Sequence, residues 1–384
     1  MDNFINSYSC QRGDTMKNKL FKGFAVYLTI SFLLTFFCPL AYGKSLRVNA
    51  VSAIAIDGNT GIVLFEQNGH KVIPMASTTK IITCLVALKY GDLDREIEIS
   101  KNAASIRGSK VGYKAGEKIT LKELLYGLML KSGNDCAIAI AEGLCGSIEE
   151  FCKRMNEYAL EIGLVDSHFE SPHGLDSMYH YSSAYDLATV TKKAKEIKEF
   201  SDIVSATLVD NAKTGFTKSF MNINKILYQI PEANGVKTGY TGKAGKCLVS
   251  SIKYQDSDII IVTLNCSNRW EETKRIYEYV KENYSYSKIA SKEDILGEIA
   301  VKNSKSKIQL VANKDIIIPT KAEDNISKEV VLLCNEVNST IKPGQNLGML
   351  IIKNNEEVLL KEKLFAKNGV NNKRLRDYFK GLVK

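Results

Sequence analysis

Apolar positions in this chain repeat with two periods, and the period changes at recognisable turn residues. Val51-Ser52-Ala53-Ile54-Ala55-Ile56 and Ile62-Val63-Leu64-Phe65-Glu66 are apolar runs separated by Asp57-Gly58-Asn59-Thr60-Gly61, which predicts a β-hairpin. The next run, Ile81 to Tyr90, is longer and stops at Gly91; it predicts a helix opened by Pro74-Met75-Ala76-Ser77-Thr78-Thr79-Lys80. A short strand is expected at Glu96-Ile97-Glu98-Ile99. From Thr120 onward Leu121, Leu124, Leu125, Leu128 and Met129 recur at helical spacing. That helix meets the polar turn Lys131-Ser132-Gly133-Asn134-Asp135, and a second apolar helix, Cys136 to Leu144, starts at once. A polar turn between two such helices pushes a hydroxyl and an amide into an interior or a cleft. Two more helices are predicted, from about Ser147 to Gly163 and from near Ser183 to about Phe200.

Farther along, the segment from Asn234 to Gly242 leads into Ala244 to Ser251, and Ile259 to Leu264 pairs with it as a strand. A helix over Glu271 to Asn283 closes this region, with Ile276, Tyr279 and Val280 inward. From about Lys288 the texture becomes short strands: Ile295 to Val301, Lys307 to Val311, Ile316 to Ile318, Glu329 to Leu333, Met349 to Ile352 and Val358 to Phe365. This predicts a small all-β domain with no obvious chemistry. The last segment, Asn371 to Lys384, gathers Leu375, Tyr378, Phe379, Leu382 and Val383 on one helical face beside Lys373, Arg374, Arg376, Lys380 and Lys384. Such a basic amphipathic helix suits peripheral contact with an anionic membrane surface, or packing on the β domain.

The first residues read as a targeting segment. A basic stretch from Met16 to Lys22 precedes an apolar run from Gly23 to Leu40, and Ala41-Tyr42-Gly43 offers small residues for cleavage before Lys44. Export is the expectation. An uncleaved anchor is the alternative, because the apolar run is nearly long enough to span. The expected division is 1–43 signal region, 44–287 main domain, 288–366 β-rich domain and 367–384 terminal helix.

Composition changes this picture little. With 384 residues and a net charge of +9, the chain is long enough for two or three domains and carries no block of cations, which argues against nucleic acid. Of nine cysteines two precede the cleavage site, and the remaining odd number, scattered through apolar runs such as Cys84, Cys136, Cys247 and Cys266, does not read as a disulfide framework.

The chemistry starts at Ser77 and Lys80. Three residues apart at a helix start, their side chains share one face. Burial lowers an ammonium pKa, so a buried Lys80 can be neutral and take the proton of Ser77. The other reading is that Ser77 or Thr78 only caps the helix. His168, His173 and His180, with Asp166 and Asp176, do not read as a metal site, since Pro172 and Gly174 break any helical ligand spacing. They are expected to knit a loop and cap the helix near Ser183. No cofactor is implied.

Ser77-x-x-Lys80, Ser132-Gly133-Asn134 and Lys237-Thr238-Gly239 stand in a fixed order at a helix start, an inter-helix turn and an edge strand. Together they resemble the three signatures of the serine penicillin-recognising enzymes. Pro172-His173-Gly174-Leu175-Asp176, His180 to Leu187 and Gly235 to Thr241 make the chain similar to the low-molecular-mass D-alanyl-D-alanine carboxypeptidases, of peptidase S11 type. The resemblance implies an α/β catalytic domain of the penicillin-binding/β-lactamase kind, an antiparallel sheet flanked by a helical subdomain, followed by the small all-β domain. It implies peptidoglycan stem peptides as substrates and β-lactams as covalent inhibitors. By this resemblance Ser77 is the nucleophile, Lys80 its base, Ser132 a proton relay, and Asn134 orients Lys80 and the substrate amide. Lys237, Thr238 and Arg269 then hold the substrate carboxylate, Gly239 admits the substrate backbone, and the N–H groups of Ser77 and Tyr240 form the oxyanion hole. Two alternatives stay open: a class A-like β-lactamase, with Glu170 in the stretch where such an enzyme keeps its water-positioning glutamate, and a penicillin-binding wall scaffold with vestigial activity.

Overall fold

The structure, a computed structural model, describes residues 46–370 apart from Asn303, Asn338 and Ser339. The expected signal region and the expected terminal helix over Asn371 to Lys384 lie outside the described residues. Among the described residues no helix is long and apolar enough to cross a membrane.

The predicted hairpin forms as β1 (Ser52–Asp57) and β2 (Val63–Gln67), paired antiparallel with Ile54 opposite Glu66. Its turn is closed by Asp57, whose Oδ1 accepts from the Thr60 N–H at 2.7 Å and the Thr60 hydroxyl at 2.6 Å. The longer helices of the first half are α1 (Lys80–Tyr90), α2 (Leu121–Leu130), α3 (Asn134–Cys145), α4 (Ile148–Glu161) and α5 (Ala184–Lys195). Thr120, Ser147 and Ser183 cap α2, α4 and α5 by accepting from the N–H three residues on. The helix expected to run from Ser183 to Phe200 is broken. Ile197 adopts an extended conformation, and a separate helix over Lys198–Ser205 turns Phe200, Ile203 and Val204 into the core.

Three further strands, β3 (Ala233–Thr241), β4 (Gly245–Tyr254) and β5 (Ser257–Leu264), complete a five-stranded sheet of order β2-β1-β5-β4-β3. Every pairing in it is antiparallel, with Ile54 opposite Val262 and Gly239 opposite Cys247. Alternation along the strands divides its two faces. Ile54, Ile56, Val249, Ile260 and Val262 join the core cluster of α1 to α5, including Leu85, Leu125 and Ile140. Ala53, Ala55, Leu248, Ile259 and Ile261 are equally buried on the other face, where α6 (Arg269–Asn283) packs with Ile276 and Val280 inward. A sheet covered on both sides explains strands that read as unbroken apolar runs. The architecture leaves β3 as an open edge facing the helical cluster.

Beyond α6 the regular structure among the described residues is all β. The strands β6 (Ser285–Ala290) and β9 (Ile316–Thr320) pair antiparallel, β6 being a strand that the apolar pattern did not reveal. The others, β7 (Gly297–Val301), β8 (Lys307–Val311), β10 (Ile326–Leu332), β11 (Glu336–Val337), β12 (Asn346–Asn354) and β13 (Glu357–Ala366), form a sheet of order β10-β12-β13-β8-β7-β11. Ile299, Ile308, Leu310, Leu350, Ile352 and Leu364 fill its buried side.

Candidate active site

Ser77 lies on a single 3-10 turn, Ala76–Thr79, that runs directly into α1. Neither Ser77 nor Thr78 caps the helix. The Thr78 hydroxyl donates back to the Met75 carbonyl at 2.6 Å, and no side chain caps the start of α1. The Ser77 hydroxyl instead faces Lys80, 3.0 Å from its Nζ.

Lys80 is completely buried. Its Nζ also donates to Asn134 Oδ1 at 2.8 Å and to the His173 carbonyl at 2.7 Å. Those two partners can only accept. An amine that donates to both keeps one position, which as a neutral –NH₂ is a lone pair aimed at the Ser77 hydroxyl. Burial, and then the charge of Lys237, hold the Lys80 pKa well below that of a free lysine. Geometry sets the amine next to the hydroxyl, and burial favours its neutral, basic form.

Asn134 is the first residue of α3, and Ser132 precedes it in a left-handed conformation with φ +61°. The Asn134 amide is fixed from both ends, because its Nδ2 donates to the Arg107 carbonyl at 2.7 Å while its Oδ1 holds Lys80. Ser132 is nearly buried, and its hydroxyl makes no hydrogen bond to a described residue, which leaves it available to a substrate. Asp135, which the motif reading passed over, is fully buried and accepts from the N–H groups of Val111 (3.1 Å), Gly112 (2.7 Å) and Cys136 (3.0 Å). It ties the loop between residues 106 and 116 onto the Ser132 turn.

The opposite wall is β3. Lys237 is 1% exposed and donates to the Thr238 carbonyl at 2.8 Å. Burial and the neighbouring Arg269 push its pKa down to about 7. Arg269, at the start of α6, reaches under the strand ends and donates to the Gly239 carbonyl at 2.6 Å and the Cys247 carbonyl at 3.0 Å. A Cβ on Gly239 would lie 3.0 Å from the Ser77 nitrogen and 3.1 Å from the Met75 carbonyl oxygen. The glycine thus lets β3 close on the nucleophile turn itself, a reason the sequence did not show. The direction of the Tyr240 N–H follows from the pairing. Its partner Lys246 turns its carbonyl toward Cys266, which donates to it at 2.9 Å. Tyr240 and Lys246 therefore form a non-hydrogen-bonded pair, so the Tyr240 N–H points off the open edge of the sheet, as the Ser77 N–H remains without an acceptor among the described residues.

The loop between α4 and α5 lies against the site. His173 supplies its carbonyl to Lys80 and accepts from the Leu175 N–H at 3.2 Å, while burial lowers its ring pKa to about 3. The Asp176 carboxylate accepts from the Thr241 hydroxyl at 2.6 Å and from the Lys243 N–H at 3.2 Å, clasping the loop to the end of β3. Glu170 Oε2 accepts, inside its own loop, from the Ser177 hydroxyl at 2.5 Å and the Tyr179 N–H at 3.1 Å. Among the described residues no group of three or more His, Cys, Asp or Glu side chains is placed to hold a metal.

Comparison with known proteins agrees with this geometry. The family model for D-alanyl-D-alanine carboxypeptidases matches residues 41–268, and a model for the C-terminal domain of penicillin-binding protein 5 matches residues 284–372. The D-alanyl-D-alanine carboxypeptidase DacF of Bacillus subtilis is 33% identical over 365 residues, covering 89% of this chain and 93% of the relative. Among solved structures, penicillin-binding protein 5 of Haemophilus influenzae superposes with a TM-score of 0.72 at 25% identity, covering 85% of this chain and 98% of that one. The D-alanyl-D-alanine carboxypeptidase DacD of Francisella tularensis gives a TM-score of 0.63 at 26% identity, covering 86% and 95% of the two chains.

Proposed function

The chain belongs to the D-alanyl-D-alanine carboxypeptidase family, a family of serine hydrolases, and on that premise we propose how its residues divide the work. The observation that carries the proposal is the contact set of buried Lys80, whose two acceptor-only partners leave one position facing the Ser77 hydroxyl, a lone pair once the amine is neutral. Ser77 Oγ attacks the carbonyl between the last two D-alanines of a peptidoglycan stem peptide as Lys80 takes its proton. The tetrahedral oxyanion sits between the N–H groups of Ser77 and Tyr240, where one such donor contributes about 2.7–4 kcal/mol. Lys237 and Thr238 grip the terminal carboxylate, and Arg269 adds positive potential from behind the strand. Ser132 relays the proton to the leaving amine, so that D-alanine departs and the acyl group stays on Ser77. Asn134 keeps Lys80 in place and presents its amide to the substrate. Water then hydrolyses the ester. A β-lactam follows the same acylation, and its ring-opened product leaves slowly.

The wider setting is proposed with it. The enzyme is exported through the segment 1–43 and works outside the cytoplasmic membrane, with residues 44–287 as the catalytic domain and 288–366 as a β-rich domain. The basic amphipathic segment from 367 to 384 makes peripheral contact with an anionic membrane surface. Release of D-alanine from a pentapeptide ending in D-Ala-D-Ala tests the catalytic assignment. Wild-type protein should release it and Ser77→Ala should not; equal release from both would refute the assignment.

A further inference from the structure

His180 has no place in the chemistry described so far, yet it is 97% buried and fully hydrogen-bonded, within reach of the nucleophile turn. Its Nδ1 accepts from the Glu170 backbone N–H at 3.0 Å. The ring proton must then sit on Nε2, which lies 2.8 Å from Thr79 Oγ1 and donates to it. The Thr79 hydroxyl passes its own proton on, to the Ala76 carbonyl at 2.8 Å. Burial lowers the His180 pKa to about 4, which keeps the ring in this neutral, directional form. The chain of bonds is one-way, and its last two links are buried: Glu170 N–H to His180, His180 to Thr79, Thr79 to the oxygen of Ala76.

Its end point matters because of what Ala76 is. The alanine has φ +51°, a left-handed conformation that costs a non-glycine residue about 1–2 kcal/mol and persists only when the surroundings hold it. The carbonyl of Ala76 and the N–H of Ser77 belong to one planar peptide group, so fixing the oxygen fixes the direction of the N–H. Gly174 presses on the oxygen side, where a Cβ would lie 2.1 Å from the Ala76 carbonyl oxygen, and Gly239 flanks the nitrogen side.

We propose that His180 is a positioning residue for the oxyanion hole: acting through Thr79, it sets the plane of the Ala76–Ser77 peptide and so aims the Ser77 N–H at the developing oxyanion. This rests on the assignment of Ser77 as nucleophile. The role is specific to one ring nitrogen, which makes it separable from a general structural role. Glutamine can place an N–H where Nε2 stands, and asparagine can place only an acceptor where Nδ1 stands. Removing an oxyanion donor outright typically costs about 10²–10³ in kcat, so misaiming one should cost at least about tenfold.

The experiment measures kcat and KM for D-alanine release, acylation by a fluorescent penicillin, and Tm, for His180→Gln, His180→Asn, Thr79→Ser and Thr79→Val in the full chain. His180→Asn and Thr79→Val should lose at least about tenfold in kcat and in acylation rate with KM changed less than about twofold. His180→Gln and Thr79→Ser should stay within about threefold of wild type. Equal losses in Gln and Asn, or rate losses that follow Tm instead of the hydrogen-bond donor, would overturn the proposal. If the His180 variants do not fold, the Thr79 pair decides it alone, because Thr79→Val and Thr79→Ser leave the loop root untouched. Wild-type protein labelled on Ser77 with unaffected variants would remove this inference only, whereas unlabelled wild type would remove the assignment of Ser77 as well.

Discussion

Replacing Gly174 by alanine should damage the active site without touching any group that reacts. Gly174 has φ +84°, and an added Cβ would meet the Ala76 carbonyl oxygen at 2.1 Å, the Thr79 hydroxyl oxygen at 2.6 Å and the Ala76 carbonyl carbon at 2.7 Å. Two of those neighbours are backbone of the nucleophile turn and cannot swing away. Ordinary contact begins near 3.4 Å, so the loop must retreat by about 1.3 Å (3.4 less 2.1). The adjacent His173 carbonyl, now 2.7 Å from Lys80 Nζ, would move with it to about 4 Å, beyond hydrogen-bond reach. Left-handed strain of about 1–2 kcal/mol and overpacking of about 1–3 kcal/mol together predict a loss of about 2–5 kcal/mol of stability. A displacement near 1 Å at a reacting centre can cost about 10²-fold in rate. Thermal unfolding and acylation by a fluorescent penicillin, measured on the same preparation, check both numbers. Wild-type Tm with acylation within about threefold of wild type would refute the reasoning, since the loop would then have somewhere to go.

Two further outcomes follow from the buried charges. Acylation requires neutral Lys80, whose pKa is lowered by burial and by Lys237, so the acylation rate should fall as pH drops through the depressed Lys80 value. Carboxylate binding requires charged Lys237, whose pKa is about 7, so binding should weaken as pH rises through about 7. The kcat/KM profile for a D-Ala-D-Ala peptide is therefore bell-shaped, and a substrate with an amidated terminus should lose the alkaline limb; the absence of an alkaline limb near about pH 7 would contradict the Lys237 assignment, and an acylation rate that falls at no acid pH would contradict that of Lys80. Asp135→Ala strands the N–H groups of Val111 and Gly112, which should cost about 2–4 kcal/mol and speed hydrogen exchange at both amides; a loss under about 0.5 kcal/mol would show that the loop is held by something else.

The parts of the site that were legible in the sequence are those set by local spacing. Ser77 and Lys80 share a helix face whatever surrounds them, the Ser132 turn had to fall between two apolar helices, and Lys237 lay on a strand bounded by Gly235 and Gly242. The helices and the hairpin followed from periodicity in the same way. What escaped was carried by contacts between distant residues. The Lys80–His173 and Thr79–His180 bonds join positions 93 and 101 residues apart, and neither histidine has a neighbour that announces its partner. Ala76 gave no sign of its left-handed backbone because alanine, unlike glycine, does not mark one. Asp135 was hidden beside a motif residue, and its role appears only when the loop around Gly112 folds back on it. The break at Ile197 escaped because no glycine or proline marks it; the packing of Phe200 and Val204 decides it. Gly239 was read as the place where a substrate backbone approaches; in the structure the nucleophile turn itself lies against it.

The central claim is that Ser77, with Lys80 as its base, forms the acyl-enzyme. Intact-protein mass spectrometry after exposure to penicillin, with peptide mapping of the adduct, tests it most directly. One penicilloyl group per chain is expected on Ser77, absent from Ser77→Ala and formed far more slowly by Lys80→Ala. An adduct on any other residue, or unchanged labelling of Ser77→Ala, would contradict it.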